Sequence, residues 1–280
     1  MLRAHWLVFA TLCLTCRLAA ATAPEPCPEI PGSAVLFDRP ATRVVWVGEV
    51  HGTWEMPALF GDLVCAAAAT GRRVVVALER SQDEQPLWDS FLASNGGKAA
   101  QAALLKGSLW TSTAQDGRSG KATLALAERL RQYERQGRIV GVRMIVQMSL
   151  SKEEEFEANM AHAVTDILRR QPDTLVLVYS GNLHAMKTAA PFDKTLALAA
   201  SLIPAAELIS VNLVSGNGQA WNCQNGDCGP HLYQGSDHPR GIVTAGTATG
   251  GLNQLWAAGY DAVGYTGRAT TPSSPAALTQ

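Results

Sequence analysis

Five short runs of apolar, largely β-branched residues recur along the chain, each separated from the next by a stretch with helical period. They lie at 43–48 (Arg-Val-Val-Trp-Val-Gly), 74–79 (Val-Val-Val-Ala-Leu-Glu), 139–145 (Ile-Val-Gly-Val-Arg-Met-Ile), 174–180 and 208–214. A strand that is apolar at every position is covered on both faces, and covered strands alternating with helices build a parallel sheet. The intervening segments 54–70, 83–94, 121–136 and 151–170 read as those helices. The first is stopped at Gly71, the second at Asn95-Gly96-Gly97, and the last is opened by Ser151 with Glu154 three positions on, a capping box. With 280 residues, 47% of them hydrophobic, the expected architecture is α/β: a single domain with a mostly parallel sheet and helices on both faces.

The ends depart from this pattern. Residues 1–23 read as a signal peptide: Arg3 and His5 precede an apolar run at 7–14, and Ala19-Ala20-Ala21-Thr22-Ala23 supplies a small-residue cleavage region. The α/β domain then spans 24–270, and 271–280 (Thr-Pro-Ser-Ser-Pro and beyond) is expected to be a weakly ordered tail. Export implies an oxidising, periplasmic or extracellular setting, where the four remaining cysteines favour disulfides. Cys223 and Cys228 flank an Asn-Gly turn and pair with each other, leaving Cys27 to pair with Cys65; zinc held by Cys223, Cys228, His231 and His238 is the rival reading. Residues 215–240 read as a loop-rich disulfide excursion near the C-terminus. The formal net charge is −1, which gives no footprint for nucleic acid, and no later apolar stretch is long enough for a membrane span. Oligomeric state is not legible.

Polar residues that the fold does not need sit directly after three of the strands. The first strand runs into Glu49-Val50-His51-Gly52-Thr53-Trp54-Glu55, the second into Glu79-Arg80, and the fourth into Gly181-Asn182-Leu183-His184. Ligands of open parallel sheets bind beyond the carboxyl ends of the strands, so Glu49, His51, Glu79 and His184 are expected to meet in one crevice. Taken singly, each has a plainer role: a glutamate complementing a helix dipole, a hydrogen-bonded structural histidine, a Glu79–Arg80 surface pair. Together they suit water activation by an oriented histidine, or a divalent metal such as Mn, Co or Zn on His51, His184, Glu49 and Glu79. Glu55, one turn into the next helix, is expected to reach the same pocket. Trp110, Asp116 and Arg118 form a further polar cluster, either a plain turn or a substrate loop with Arg118 facing an anionic group and Trp110 as an apolar wall. No Gly-x-Ser-x-Gly elbow, His-Glu-x-x-His helix, phosphate loop or dinucleotide fingerprint is present. The Gly-x-x-His spacing of 48–51 and 181–184 also occurs at 235–238, so position after a strand, not spacing, singles out the first two.

Gly48-Glu49-Val50-His51-Gly52-Thr53-Trp54-Glu55, Ala77-Leu78-Glu79 and Gly181-Asn182-Leu183-His184-Ala185 together resemble the erythromycin esterase/ChaN/TIKI superfamily. The resemblance runs from about residue 44 to 265 and takes in Asp116-Gly117-Arg118 and Gly259-Tyr260-Asp261-Ala262. It implies paired Gly-x-x-His motifs and acidic residues around one cleft. It also implies one of three chemistries: lactone hydrolysis by a His-activated water, metal-dependent proteolysis, or haem binding by a ChaN-type uptake protein. The Glu49-Val50-His51 spacing follows the TIKI and ChaN members. Phe156-Glu157-Ala158-Asn159-Met160-Ala161 keeps the acid of a family Arg-acid pair and lacks the Arg.

The sequence thus leads to a secreted or periplasmic hydrolase of an ester or amide bond, with a small-molecule or peptide substrate. His51 is expected to act as base, with Glu49 and Glu79 orienting it or joining it on a metal, His184 polarising the carbonyl or ligating the metal, and Glu55 and Arg118 lining the pocket. The alternative is a haem- or cofactor-binding protein using His51, His184 or Tyr179.

Overall fold

A computed structural model describes residues 25–244 and 259–277. The signal-peptide reading of 1–23 lies outside the described residues. Seven strands form the main sheet: β1 (Val44–Glu49), β2 (Arg73–Ser81), β3 (Gly141–Val146), β4 (Thr174–Gly181), β5 (Leu208–Gly216), and, beyond the hairpin described below, β8 (Gly241–Thr244) and β9 (Ala262–Ala269). Their order is β3-β2-β4-β1-β5-β9-β8, parallel throughout except for the β8–β9 edge pair. The five strands read from the sequence are the five that carry the parallel core. β8 and β9, flanked by Gly-rich and polar stretches, lacked the apolar signal.

Alternate side chains of each strand enter two separate cores, as the period of two requires. Val45, Val47, Val76, Leu177 and Val211 face one layer, formed by α1 (Glu55–Ala69), α2 (Gln85–Ala93) and α4 (Lys121–Arg135). A short helix, α3 (Lys98–Leu104), packs behind α2. Val44, Trp46, Val75, Ala77, Val176 and Val178 face the other layer, formed by α5 (Glu153–Arg170) and the 183–203 connection. Helices therefore cover both faces, as expected. The expected capping box does not form: α5 starts at Glu153 after Lys152, with no side-chain cap. Its first turn instead carries Glu153, Glu154 and Glu155, whose charges complement the helix dipole without a hydroxyl.

Chain direction creates the crevice. From β1 the chain passes through α1 on one face to reach β2, whereas from β4 it passes through 183–203 on the opposite face to reach β5. β1 and β4 are neighbours, so their connections part at their carboxyl ends and leave an opening there.

The 215–240 excursion is more ordered than the sequence suggested. It is an antiparallel hairpin of β6 (Gly218–Gln224) and β7 (Asp227–Tyr233), turning at Asn225-Gly226 with both residues at positive φ. Cys223 and Cys228 face each other across it and are bonded, and Cys27 is bonded to Cys65. These cysteines are therefore not free for zinc. Residues 271–277, expected to be a weakly ordered tail, are packed instead. Ser273 and Ala276 are buried, Pro272 bridges to Thr53, and Pro275 bridges to Gly120. Ser273 Oγ accepts from the Ala122 amide at 2.8 Å, capping α4 from a distant part of the chain. No helix among the described residues is long and apolar enough to cross a membrane.

Candidate active site

β1 ends on Glu49 and places His51 two residues later. The chain then turns at Gly52, whose φ of 78° suits glycine, and a Cβ there would stand 1.9 Å from the Trp221 carbonyl oxygen. The Gly52 carbonyl accepts from the amides of Trp221 (2.9 Å) and Ser273 (2.8 Å). Hairpin and C-terminal segment thus both hold the loop that carries His51. Trp221 Nε1 also donates to the Gln115 carbonyl at 3.1 Å, which anchors the loop bearing Asp116 and Arg118 beside it.

At the tip of β4, Gly181 lies among the reactive groups. A Cβ at this position would be 3.2 Å from His51 Nε2, a tight contact, and 3.5 Å from both Glu79 Oε2 and His184 Cδ2, in ordinary contact, so glycine leaves His51 its room. The Gly181 amide donates to Glu79 Oε2 at 2.6 Å. His184 follows on a short 3-10 turn over residues 183–185.

Each histidine has its own carboxylate on Nδ1. His51 Nδ1 pairs with Glu49 Oε1, and His184 Nδ1 pairs with Glu157 Oε1 at 2.6 Å. Both Nε2 atoms face Glu79, each 3.8 Å from one of its oxygens. Arg118 donates to Glu79 Oε1 from Nη1 at 3.0 Å and to Asp116 Oδ2 from Nε (3.0 Å) and Nη2 (2.6 Å). The glutamates are nearly fully buried, whereas the two histidine side chains keep 24% and 20% of their surface exposed. The rings are therefore reachable from solvent, whereas the carboxylates are nearly enclosed.

The electrostatics follow from this packing. Burial opposes a charge on His51, but the Glu49 carboxylate, through its charge and hydrogen bond, and Glu79 outweigh it; Arg118 pulls the other way, and the ring is held at about 9. His184 is likewise raised, with burial overcome by Glu79 and Glu157. Burial would raise Glu79, yet the charges of His184, His51 and Arg118 and the Gly181 amide bring it down to about 2.

Glu49, His51, Glu79, His184, Asp116 and Arg118 are thus brought together. Two other expected site residues are not. Glu55 accepts from the Thr271 amide and hydroxyl (3.0 and 2.6 Å) and lines a separate hollow with Trp54, Asp62, Arg240 and Arg268. Its place at the first turn of α1 points it at the packed C-terminal segment. Trp110 is fully buried beneath Arg80, whose guanidinium lies 4.2 Å from the ring centre. Arg80 in turn pairs with buried Glu84 at 2.7 Å and donates to the Arg118 carbonyl at 2.9 Å. Trp110 therefore supports the site from two layers back, and Arg80 is no surface residue. Glu157, singled out in the sequence only as the acid of the family Arg-acid pair, joins the site as the partner of His184. Its signal was an acid on the apolar stripe Glu157-Met160-Ala161-Val164, all buried at helical spacing.

The groups implied by the family resemblance fit these residues poorly. Among the described residues no group of three or more His, Cys, Asp or Glu side chains is arranged to hold a metal ion. Both Glu79 oxygens already accept hydrogen bonds from Gly181 and Arg118, so a guanidinium provides the counter-charge that a divalent ion would supply. Haem needs a large apolar slot. The free space beside His51 is about 30 Å³, and Tyr179 is buried in its wall.

No protein-family model matches the sequence, and no curated protein matches it. Solved structures do. A histidine-to-asparagine mutant of the erythromycin esterase EreC, in its open conformation, aligns at a TM-score of 0.62 with 10% identity over 86% of this chain and 93% of that one. A succinoglycan biosynthesis protein aligns at 0.59 with 10% identity, over 84% and 89%. A protein from Bacillus cereus aligns at 0.54 with 13% identity, over 83% and 90%. At these identities the likeness speaks for architecture alone: the chain has the fold seen in EreC and in these other solved structures.

Proposed function

We propose that the chain is a secreted or periplasmic hydrolase of ester or amide bonds that activates water with His51 and needs no metal for that step. One observation carries the reading: two histidines, each fixed at Nδ1 by a buried carboxylate, turn both Nε2 atoms towards Glu79, which Arg118 also pairs with, while both rings keep an exposed edge. A carboxylate on Nδ1 fixes the tautomer, so neutral His51 keeps its Nε2 lone pair for a water, and protonated His184 offers an Nε2–H. Water bound at His51 Nε2 attacks the substrate carbonyl while its proton passes to that nitrogen. Negative charge growing on the carbonyl oxygen is met by the His184 Nε2–H and the Arg118 guanidinium. His51 then returns the proton to the leaving oxygen or nitrogen as its bond to carbon breaks, releasing an acid and an alcohol or amine. The two disulfides fit an oxidising compartment.

The test is a panel of activated esters and amides assayed with wild type, His51→Gln and His184→Gln. Each substitution is expected to lower kcat/KM by at least about a hundredfold, the scale of an acid–base group, with circular dichroism unchanged. Full activity in both variants would overturn the proposal.

A further inference from the structure

The same cavity that borders the histidines has a second character. Its polar rim is His51 and Arg118 with the buried charged groups Glu49, Glu79 and Arg80, and the remainder is lined by Leu78, Tyr179 and Ser180 of the sheet and by Thr123 and Leu126 of α4. Leu78 and Leu126 are 3% exposed, so this wall belongs to the rigid core and not to a loop that could swing away. The free space is about 30 Å³, enough for one or two groups the size of a water or a methyl. The hydrolytic chemistry uses the rim alone and leaves this recess unexplained.

We infer that the recess receives the acyl side of the scissile bond and that the substrates are esters of very short acids, with acetyl as the best fit. This rests on the hydrolase reading above. An acetyl methyl placed between Leu126 and Tyr179 sets its carbonyl carbon at the rim, where His51 delivers water and Arg118 faces the oxygen. The alcohol side then points outward past the exposed edges of the histidines, so its size is not limited by this wall. A longer acyl chain meets Leu78 and Leu126, whose displacement would require repacking of the sheet against α4.

The experiment measures kcat/KM for p-nitrophenyl acetate, butanoate and octanoate, which share one leaving group. Wild type is expected to prefer acetate over butanoate by at least about tenfold, the discrimination one or two methylenes give in a closed pocket. Leu126→Ala deepens the recess and should raise the butanoate-to-acetate ratio by about tenfold. Because Leu126 is a core residue, half-buried Thr123→Leu provides the reverse test with less risk to folding: it fills the recess and should depress acetate turnover with little change in melting temperature. Hydrolysis of all three esters at similar rates, or ratios unmoved by both variants, would overturn the recess while leaving the hydrolase intact. No hydrolysis of any ester by wild type would overturn this inference, and no hydrolysis of the activated amides either would remove the hydrolase reading with it.

Discussion

The two histidine arms of the site do similar things with different construction. In the Glu49–His51 arm, acid and base are two residues apart at the end of one strand. In the Glu157–His184 arm they are 27 residues apart, one on α5 and one on the connection after β4. Glu157 also accepts from the Ala199 amide at 2.8 Å. It therefore ties its histidine to the chain that covers the far face of the sheet, whereas Glu49 serves His51 within one local segment. In the proposed hydrolysis the local arm is the base, and the distant arm joins the site to the packing of the far face.

The largest expected effect separates the arms by their chemistry. Glu49→Gln removes the charge that holds the His51 tautomer, and kcat is expected to fall by about a hundredfold to ten-thousandfold, the range for a base that loses its orienting carboxylate. Glu157→Gln keeps an oxygen for the Ala199 amide but weakens the imidazolium at His184, and about a tenfold fall is expected, close to the loss of one charge-assisted hydrogen bond. Measuring kcat for both variants beside their melting temperatures decides the matter. Equal losses in the two would mean that the arms are interchangeable.

A second prediction sets stability against activity. His51 is held at about 9 in the folded chain against 6.5 unfolded, so its ion pairs stabilise fully below pH 6.5 and are lost as pH rises through 9. A shift of that size corresponds to about 3 kcal/mol. Glu79, held at about 2 against 4.5, stabilises above pH 4.5 and loses this as pH falls towards 2. These are partly the same contacts seen from two partners, so they are not summed. The melting temperature should therefore be highest between about pH 4.5 and 6.5. Hydrolysis should rise from pH 6.5 towards 9 as His51 becomes a free base. A rate that falls over this range would give His51 the acid's role and pass the base to His184.

How much of this was open to sequence reasoning follows from the same contrast. The five parallel strands were legible because a strand buried on both faces has no polar alternation to confuse it. Glu49, His51, Glu79 and His184 were legible because strand ends in such a sheet converge by topology. Glu157 was legible only as the acid of the family Arg-acid pair and not as the partner of His184, because that pairing is fixed by how α5 packs. Glu55 was misplaced for the converse reason. It sits near His51 in sequence, but the first turn of α1 rotates it towards Thr271. The hairpin at 218–233 was hidden by its mixed burial, since it packs through a few residues such as Trp221 and Ala220 rather than through an apolar stripe.

The smallest expected effect tests whether that hairpin matters to the site. Closing a loop of 5 residues, as Cys223–Cys228 does, is worth about 2 kcal/mol, against about 4 for the 38-residue separation of Cys27–Cys65. Cys223 and Cys228 lie two and seven positions beyond Trp221, whose backbone and indole hold the His51 and Arg118 loops. Replacing both cysteines by Ser should therefore lower the melting temperature by only a few degrees yet reduce kcat/KM several-fold, because the loosened strands hold Trp221 less firmly. Replacing Cys27 and Cys65 should do the reverse, costing more stability and little activity, since that bridge fixes the N-terminal arm to α1 and its sulfurs accept from Arg138, which is no part of the site. If the hairpin variant lost neither activity nor stability, Trp221 would hold the loops without help from the bridge. Trp221→Ala would then be the variant in which the loss of activity appears.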